Sequence, residues 1–256
     1  MVLSQAVIRF QLAGVRDAIL RGTGGRTPAS TGASVPTPPM LRQRFISALG
    51  YRWLNRLYDP LLRWTMPERR FKTRLIQLAR IEARDRVLDL GCGTGTLMLL
   101  VRQTAPTADV HGVDGDLEIL RLATSKASDE SLRLKVTAGM AWALPYQGDR
   151  FGRVLTTLVL HHLNRENKQR ALGEAYRVLR AGGQLHIADW GKPHNRWMRV
   201  ASLLVSAFDS RETTTDNVQG LIPELCLRAG FVNVTEADRF NTLFGSLCIY
   251  SAAKLA

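Results

Sequence analysis

From Arg84 onward the chain predicts an α/β fold with a parallel sheet covered on both faces. Three observations predict it. Short apolar runs of strand length alternate with helical segments. A glycine turn follows the first of those runs directly. The composition, 45% hydrophobic and 22% charged over 256 residues, supports a sizeable core. No apolar run approaches the roughly 18 residues that span a bilayer; none is longer than Leu97 to Val101. Cys92, Cys226 and Cys248 are odd in number and widely spaced, which argues against a disulfide framework or a zinc site and for a reducing compartment, the cytoplasm.

Taken in order, residues 1–40 hold a weakly amphipathic stretch and then a Gly/Ser/Thr/Pro tract that cannot bury enough apolar surface to order itself. They read as a flexible tail or as a leader, with organelle import the outcome in a eukaryotic source. Residues 41–84 read as basic helices. Phe45, Leu49, Trp53 and Leu57 recur every four residues, Asp59-Pro60 interrupts, and a second helix starts at Pro67 with Phe71, Leu75, Leu78 and Ala79 on one face. Its arginines and Lys72 read as a solvated face. Strands follow at Arg86 to Leu90, Val110 to Asp114, Leu132 to Thr137, Val154 to Leu158 and Gln184 to Asp189. Helices lie between them at Thr96 to Gln103, Leu117 to Lys126 and Arg165 to Leu179, the last capped by Asn164 and stopped by Gly182 or Gly183. A helix from Pro223 to Gly230 and strands at Val232 to Glu236 and Ser246 to Ala252 complete the chain.

The formal net charge is +13, and residues 1–86 carry +11 of it. A basic N-terminal third over a nearly neutral body suits an anionic surface, an acidic substrate or RNA.

The most informative stretch is Arg86-Val87-Leu88-Asp89-Leu90-Gly91-Cys92-Gly93-Thr94-Gly95. A strand runs into a glycine turn and a helix, so backbone can approach a ligand at the carboxyl end of the sheet. A dinucleotide fingerprint needs glycine at position 96, where Thr96 stands, and Asp89 would repel a pyrophosphate. A cationic ligand suits that carboxylate. Asp114, ending the second strand, is placed to accept the hydroxyls of a ribose.

These residues resemble the class I S-adenosylmethionine-dependent methyltransferases, specifically the type 11 group that includes the ubiquinone and menaquinone C-methyltransferases. VLDLGCGTG (87–95), GVD (112–114), ALPY (143–146), LHHL (160–163), RVLRAGGQLHIADWG (177–191) and LRAGF (227–231) carry the resemblance, which covers Tyr58 to the end. It implies a three-layer, Rossmann-like α/β fold on a seven-stranded methyltransferase sheet over residues 85–256, its last two strands an antiparallel hairpin, with residues 41–84 as an N-terminal helical cap. It implies S-adenosylmethionine as cofactor. Asp89, Gly91, Cys92, Gly93 and Gly95 would shape the methionine end of its pocket, Asp114 and Gly115 the ribose end, and Met140 and Ala141 the adenine edge. Two positions depart from the family pattern: Met140 and Gly152 stand where aspartate is usual.

Methyl transfer from a sulfonium needs alignment above all, and a base only where the acceptor must lose a proton. His161 and His162, after the fourth strand, are the catalytic candidates. The sequence lacks an Asn/Asp-Pro-Pro-aromatic segment after that strand, paired glutamates, a carboxylate cluster for a metal, and cysteine pairs. A small or lipophilic acceptor, quinone-like or another metabolite, methylated without a metal, is therefore expected. Peripheral membrane contact through the basic helices accompanies it, with nucleic acid an unlikely partner. The alternatives are an RNA methyltransferase docked through the basic third, and a non-catalytic cofactor-binding module.

Overall fold

In the computed structural model the described residues are 68–129, 132–201 and 211–256. The readings for residues 1–40 and for most of the basic helices, 41–67, lie outside them.

The second basic helix is α1, Glu68–Ala79. Its spacing brings Phe71, Leu75, Ile76 and Ala79 to one buried side, where they pack with Val87, Leu155, Ala188, Leu247 and Ile249 of the sheet. α1 thus lies in the sheet's covering layer. This placement corrects the solvated reading of Lys72, which is buried and paired with Glu68 Oε1 at 2.7 Å.

The elements that follow are β1 (Arg86–Leu90), α2 (Thr96–Thr104), β2 (Asp109–Asp114), α3 (Leu117–Asp129), β3 (Lys135–Ala138), β4 (Phe151–Thr157), a 3-10 turn (Leu160–His162), α4 (Arg165–Val178), β5 (Leu179–Trp190), α5 (Arg211–Gln219), α6 (Ile222–Arg228), β6 (Val232–Thr242) and β7 (Gly245–Ala253). The strands form one seven-stranded sheet in the order β3-β2-β1-β4-β5-β7-β6. β1 to β5 are parallel, and β7 enters antiparallel between β5 and β6, as the resemblance implies. Strand alternation divides the core. Val87 joins α1, α2 and Leu120 of α3 on one face, and Leu88 and Leu90 join α4 and α6 on the other. Asp89 therefore points to the face that α1 covers.

Three sequence readings shift. β3 starts at Lys135, not Leu132, because Leu134 packs against the glycine turn. Asn164 caps α4, accepting the Asn167 amide at 2.9 Å, but the helix ends at Val178, ahead of Gly182 and Gly183. Leu179 is fully buried and pairs with Phe151, so sheet burial takes over from the helix, and the two glycines lie in a bulge before Arg153 pairs with Gln184. β6 runs on to Thr242, well past Glu236, held by β7.

Gly152 has a local explanation. A Cβ there would sit 3.1 Å from Asp85 Oδ1 and 3.3 Å from Arg180 Nε, and those two residues pair at 3.5 Å. The family's aspartate would bring a second carboxylate against Asp85.

Candidate active site

The glycine turn lies over the carboxyl end of β2. The amides of Gly91 and Cys92 both donate to the Val113 carbonyl, at 2.8 and 3.0 Å. Gly91, Gly93 and Gly95 all have positive φ, the region where a side chain costs about 1 kcal/mol or more. The three differ in surroundings. A Cβ on Gly91 would stand 2.3 Å from Val159 Cγ2, and one on Gly95 2.7 Å from Leu134 Cδ1, whereas one on Gly93 meets nothing within 4 Å. Gly91 and Gly95 are needed for packing. Gly93 borders open space.

Beneath the turn, Asp89 is 2% exposed, and neither carboxylate oxygen has a hydrogen-bond partner among the described residues. Burial pushes its pKa up to about 7, the nearby Lys72 works against that shift, and Asp114 adds to it. A buried, unpaired carboxyl is a costly arrangement without a cationic or hydrogen-bonding occupant. Asp114 Oδ2 accepts the Gly93 amide at 2.9 Å and its Oδ1 the Asp116 amide at 3.0 Å, leaving further lone pairs on each oxygen. Burial raises its pKa as well. Asp116, which the sequence reading missed, is buried and caps α3 by accepting the amides of Glu118 and Ile119.

The Gly139 amide donates to the Asp114 carbonyl at 3.0 Å, bringing the Gly139–Ala141 turn alongside. Met140 Sδ lies 3.0 Å from where a Cβ of Gly115 would be, so Met140 is beside Gly115 and Asp114, while Ala141 packs on the core. Cys92 is apart from them: its Sγ packs inward against Gly112, and burial drives its thiol pKa upward.

The histidines separate into two environments. His161 is 1% exposed, with Nδ1 2.8 Å from Asp189 Oδ1. Asp189, wholly buried, also accepts the amides of Leu160 and Trp190 and the side chain of Asn217. Burial alone would raise the Asp189 pKa, but His161 and these donors hold it below the usual carboxylate range. His161 thus ties the 3-10 turn to the end of β5. His162 stacks on it with ring centroids 3.9 Å apart and keeps an exposed side. Crowding on its inner side and then the neighbouring His161 depress its pKa. Beside this turn, Trp190, Gly191, Thr214, Val218, Phe244, Gly245 and Ser246 line a shallow, open cleft.

A sheet in this order, with a glycine turn over an orphaned carboxyl and an acid ending β2, is similar to that of the class I S-adenosylmethionine-dependent methyltransferases. Comparison with known proteins points to the same class. Residues 87–183 match the family profile described as "Methyltransferase domain". The chain is 36% identical over 145 residues to a demethylmenaquinone methyltransferase of Thermus thermophilus, covering 56% of this chain and 62% of the relative. Against that relative it spans less than two thirds of the length. It is 28% identical over 224 residues to the ubiquinone/menaquinone biosynthesis C-methyltransferase UbiE of Geobacter sulfurreducens, covering 80% and 84% of the two chains. A Haemonchus contortus phosphoethanolamine N-methyltransferase 2, solved with phosphomonomethylethanolamine and S-adenosylhomocysteine, shares the fold at 16% identity. Its TM-score is 0.60, over 73% of this chain and 53% of that one.

The Met140 position yields a measurable expectation. Met140→Asp should tighten S-adenosylhomocysteine binding by up to about tenfold by restoring an acceptor for the adenine amino group. Calorimetry showing unchanged or weaker binding would mean that the thioether already packs on the ring.

Proposed function

We propose that the protein methylates a small lipophilic acceptor of quinone-precursor type from S-adenosylmethionine, in the cytoplasm and without a metal. The observation that carries this reading is Asp89, a buried carboxyl with both oxygens unpartnered below a turn whose central glycine faces open space. The residues fit the cofactor. Asp89 would hold its cationic methionine end, Asp114 the ribose hydroxyls, and Met140 and Gly115 the base. When bound, the cofactor supplies an electrophilic methyl group on sulfur.

The chain's own part is placement. An acceptor would lie against Trp190 and Phe244 of the open cleft. His162, neutral at physiological pH, accepts a hydrogen bond from an acceptor hydroxyl; its depressed pKa makes it a weak base, so it orients the acceptor. His161 and Asp189 hold that turn in place. The names of the Thermus and Geobacter relatives support the acceptor class.

The test is the pH dependence of binding. A carboxyl whose folded pKa lies near 7 instead of 3.8 keeps a proton that the unfolded chain has lost, so its contribution destabilises the free protein as pH rises through that interval. A cationic ligand favours the ionised form. S-adenosylmethionine affinity measured by calorimetry should therefore climb between about pH 6 and pH 8 by roughly tenfold. Asp89→Asn should flatten that rise and raise the melting temperature at the upper pH. A wild-type affinity independent of pH would remove Asp89 from the site.

A further inference from the structure

The turn that carries Met140 is held from a helix far from it in the chain. Residues 139–150 join β3 to β4 with no helix and no strand beyond one bridge between Met140 and Ala143, so their backbone groups depend on partners elsewhere. The segment starts with the Gly139 amide on the Asp114 carbonyl and folds back where the Ala143 amide donates to the Met140 carbonyl at 3.0 Å. Its return limb is bound to the last turns of α4. Glu174 Oε2 accepts the Leu144 amide at 2.7 Å, while Arg177 donates from Nη1 to the Tyr146 carbonyl at 2.8 Å and from Nη2 to the Leu144 carbonyl at 3.3 Å. The carbonyls of Arg177 and Val178 then accept the amides of Asp149 and Arg150 at 3.0 and 2.8 Å.

Glu174 and Arg177 are also joined to each other, Nε to Oε1 at 2.6 Å and Nη2 to Oε2 at 2.8 Å. Such a bidentate pair fixes both groups in one geometry, so the loop meets one acceptor and two donors already set in place. Neither side chain serves the packing of the helix, whose buried residues are Lys168, Ala171, Leu172, Ala175 and Val178. Pro145, between the two clamped residues, passes the constraint on. A Cβ on Gly139 would stand 2.8 Å from Pro145 Cδ and 3.0 Å from Val113 Cγ2, so Gly139 is packed between β2 and the clamped limb. Met140 follows it in the chain and is fixed beside Gly115.

We propose that Glu174 and Arg177 are positioning residues for the cofactor, which hold the 139–146 turn in the shape that receives the adenine ring and act through the loop backbone. The inference rests on the reading of this turn as the base end of the S-adenosylmethionine pocket. A loop ordered before binding spares the ligand the cost of ordering it.

Calorimetry with two ligands tests this: S-adenosylhomocysteine, and methylthioadenosine, which keeps the base and ribose but lacks the amino-acid end. Arg177→Met should weaken both by the same factor, about tenfold, because the ligand must then order the loop itself. Arg177→Lys, which keeps a donor for one carbonyl, should recover part of the loss, and it carries the same comparison should Arg177→Met not fold. The exchanged pair, Glu174→Arg with Arg177→Glu, restores the ion pair on the helix but sets a guanidinium against the Leu144 amide and a carboxylate against two carbonyls. Both affinities should stay low in it, which a pair that served only the helix would not produce. Unchanged hydrogen-exchange protection of the β1 and β4 amides shows that each variant is folded. Wild-type affinity for both ligands in a folded Arg177→Met protein overturns the proposal. So does a loss confined to S-adenosylhomocysteine, which places the effect at the amino-acid end, and so does full recovery in the exchanged pair. A wild-type protein that binds neither ligand overturns the methylation reading itself, and the proposal with it.

Discussion

Alanine at position 93 should leave the protein folded and remove most of its cofactor binding. The new methyl group would meet no protein atom within 4 Å, so the cost to stability is the backbone strain of a positive φ, about 1 kcal/mol and a few degrees of melting temperature. The space it fills is the space a ligand needs to lie against the turn. Overfilling a fitted contact costs about 1 to 3 kcal/mol, which corresponds to a loss of roughly fivefold to 150-fold in S-adenosylhomocysteine affinity. Gly91→Ala is the contrasting control. Its methyl would be driven into Val159, so that variant should lose stability first. Full affinity in a folded Gly93→Ala protein would show that the ligand does not approach this turn.

Asp114→Ala should weaken the same ligand by roughly tenfold to 150-fold, the effect of about 1.5 to 3 kcal/mol for a charged acceptor. Two losses combine. The ribose loses its acceptor, and the amides of Gly93 and Asp116 lose the carboxylate that fixes the turn. Asp114→Asn, which keeps an acceptor oxygen, should fall between wild type and alanine. Since both effects pass through the turn, the Gly93→Ala and Asp114→Ala losses should combine to less than their sum. Affinity within twofold of wild type in Asp114→Ala would end the ribose assignment.

The central strands were legible because a buried parallel sheet writes itself as short, mostly apolar stretches, and Val87 to Leu90 and Val110 to Val113 are such stretches apart from Asp89 and His111. The glycine turn was legible because positive φ selects glycine. Other features had no local signal. The α5 helix, RETTTDNVQ, has no apolar period and is rich in poor helix formers; contacts made from α4 and β5 hold it. Lys72 sits among arginines of the same helix and looks like them, and only the direction in which Asp89 faces reveals it as a buried charge. His161 and His162 are adjacent and alike in sequence, yet one is enclosed on Asp189 and the other faces solvent. The difference comes from a 3-10 turn that no spacing announces.

The way α5 is attached has a consequence for how the molecule opens. Little apolar surface holds this helix. Asp216 instead joins Arg165 and Lys168, and Asn217 reaches Asp189 and the Trp190 carbonyl. Lys168 is 0% exposed, and detaching the helix removes both the Thr213 carbonyl and the Asp216 carboxylate that hold its ammonium. Such an element does not fray residue by residue. It releases as one cooperative unit, and its amides share a single protection against hydrogen exchange. Acidification through the depressed Asp216 pKa weakens that attachment, so hydrogen exchange in the segment bordering the cleft should quicken in acid.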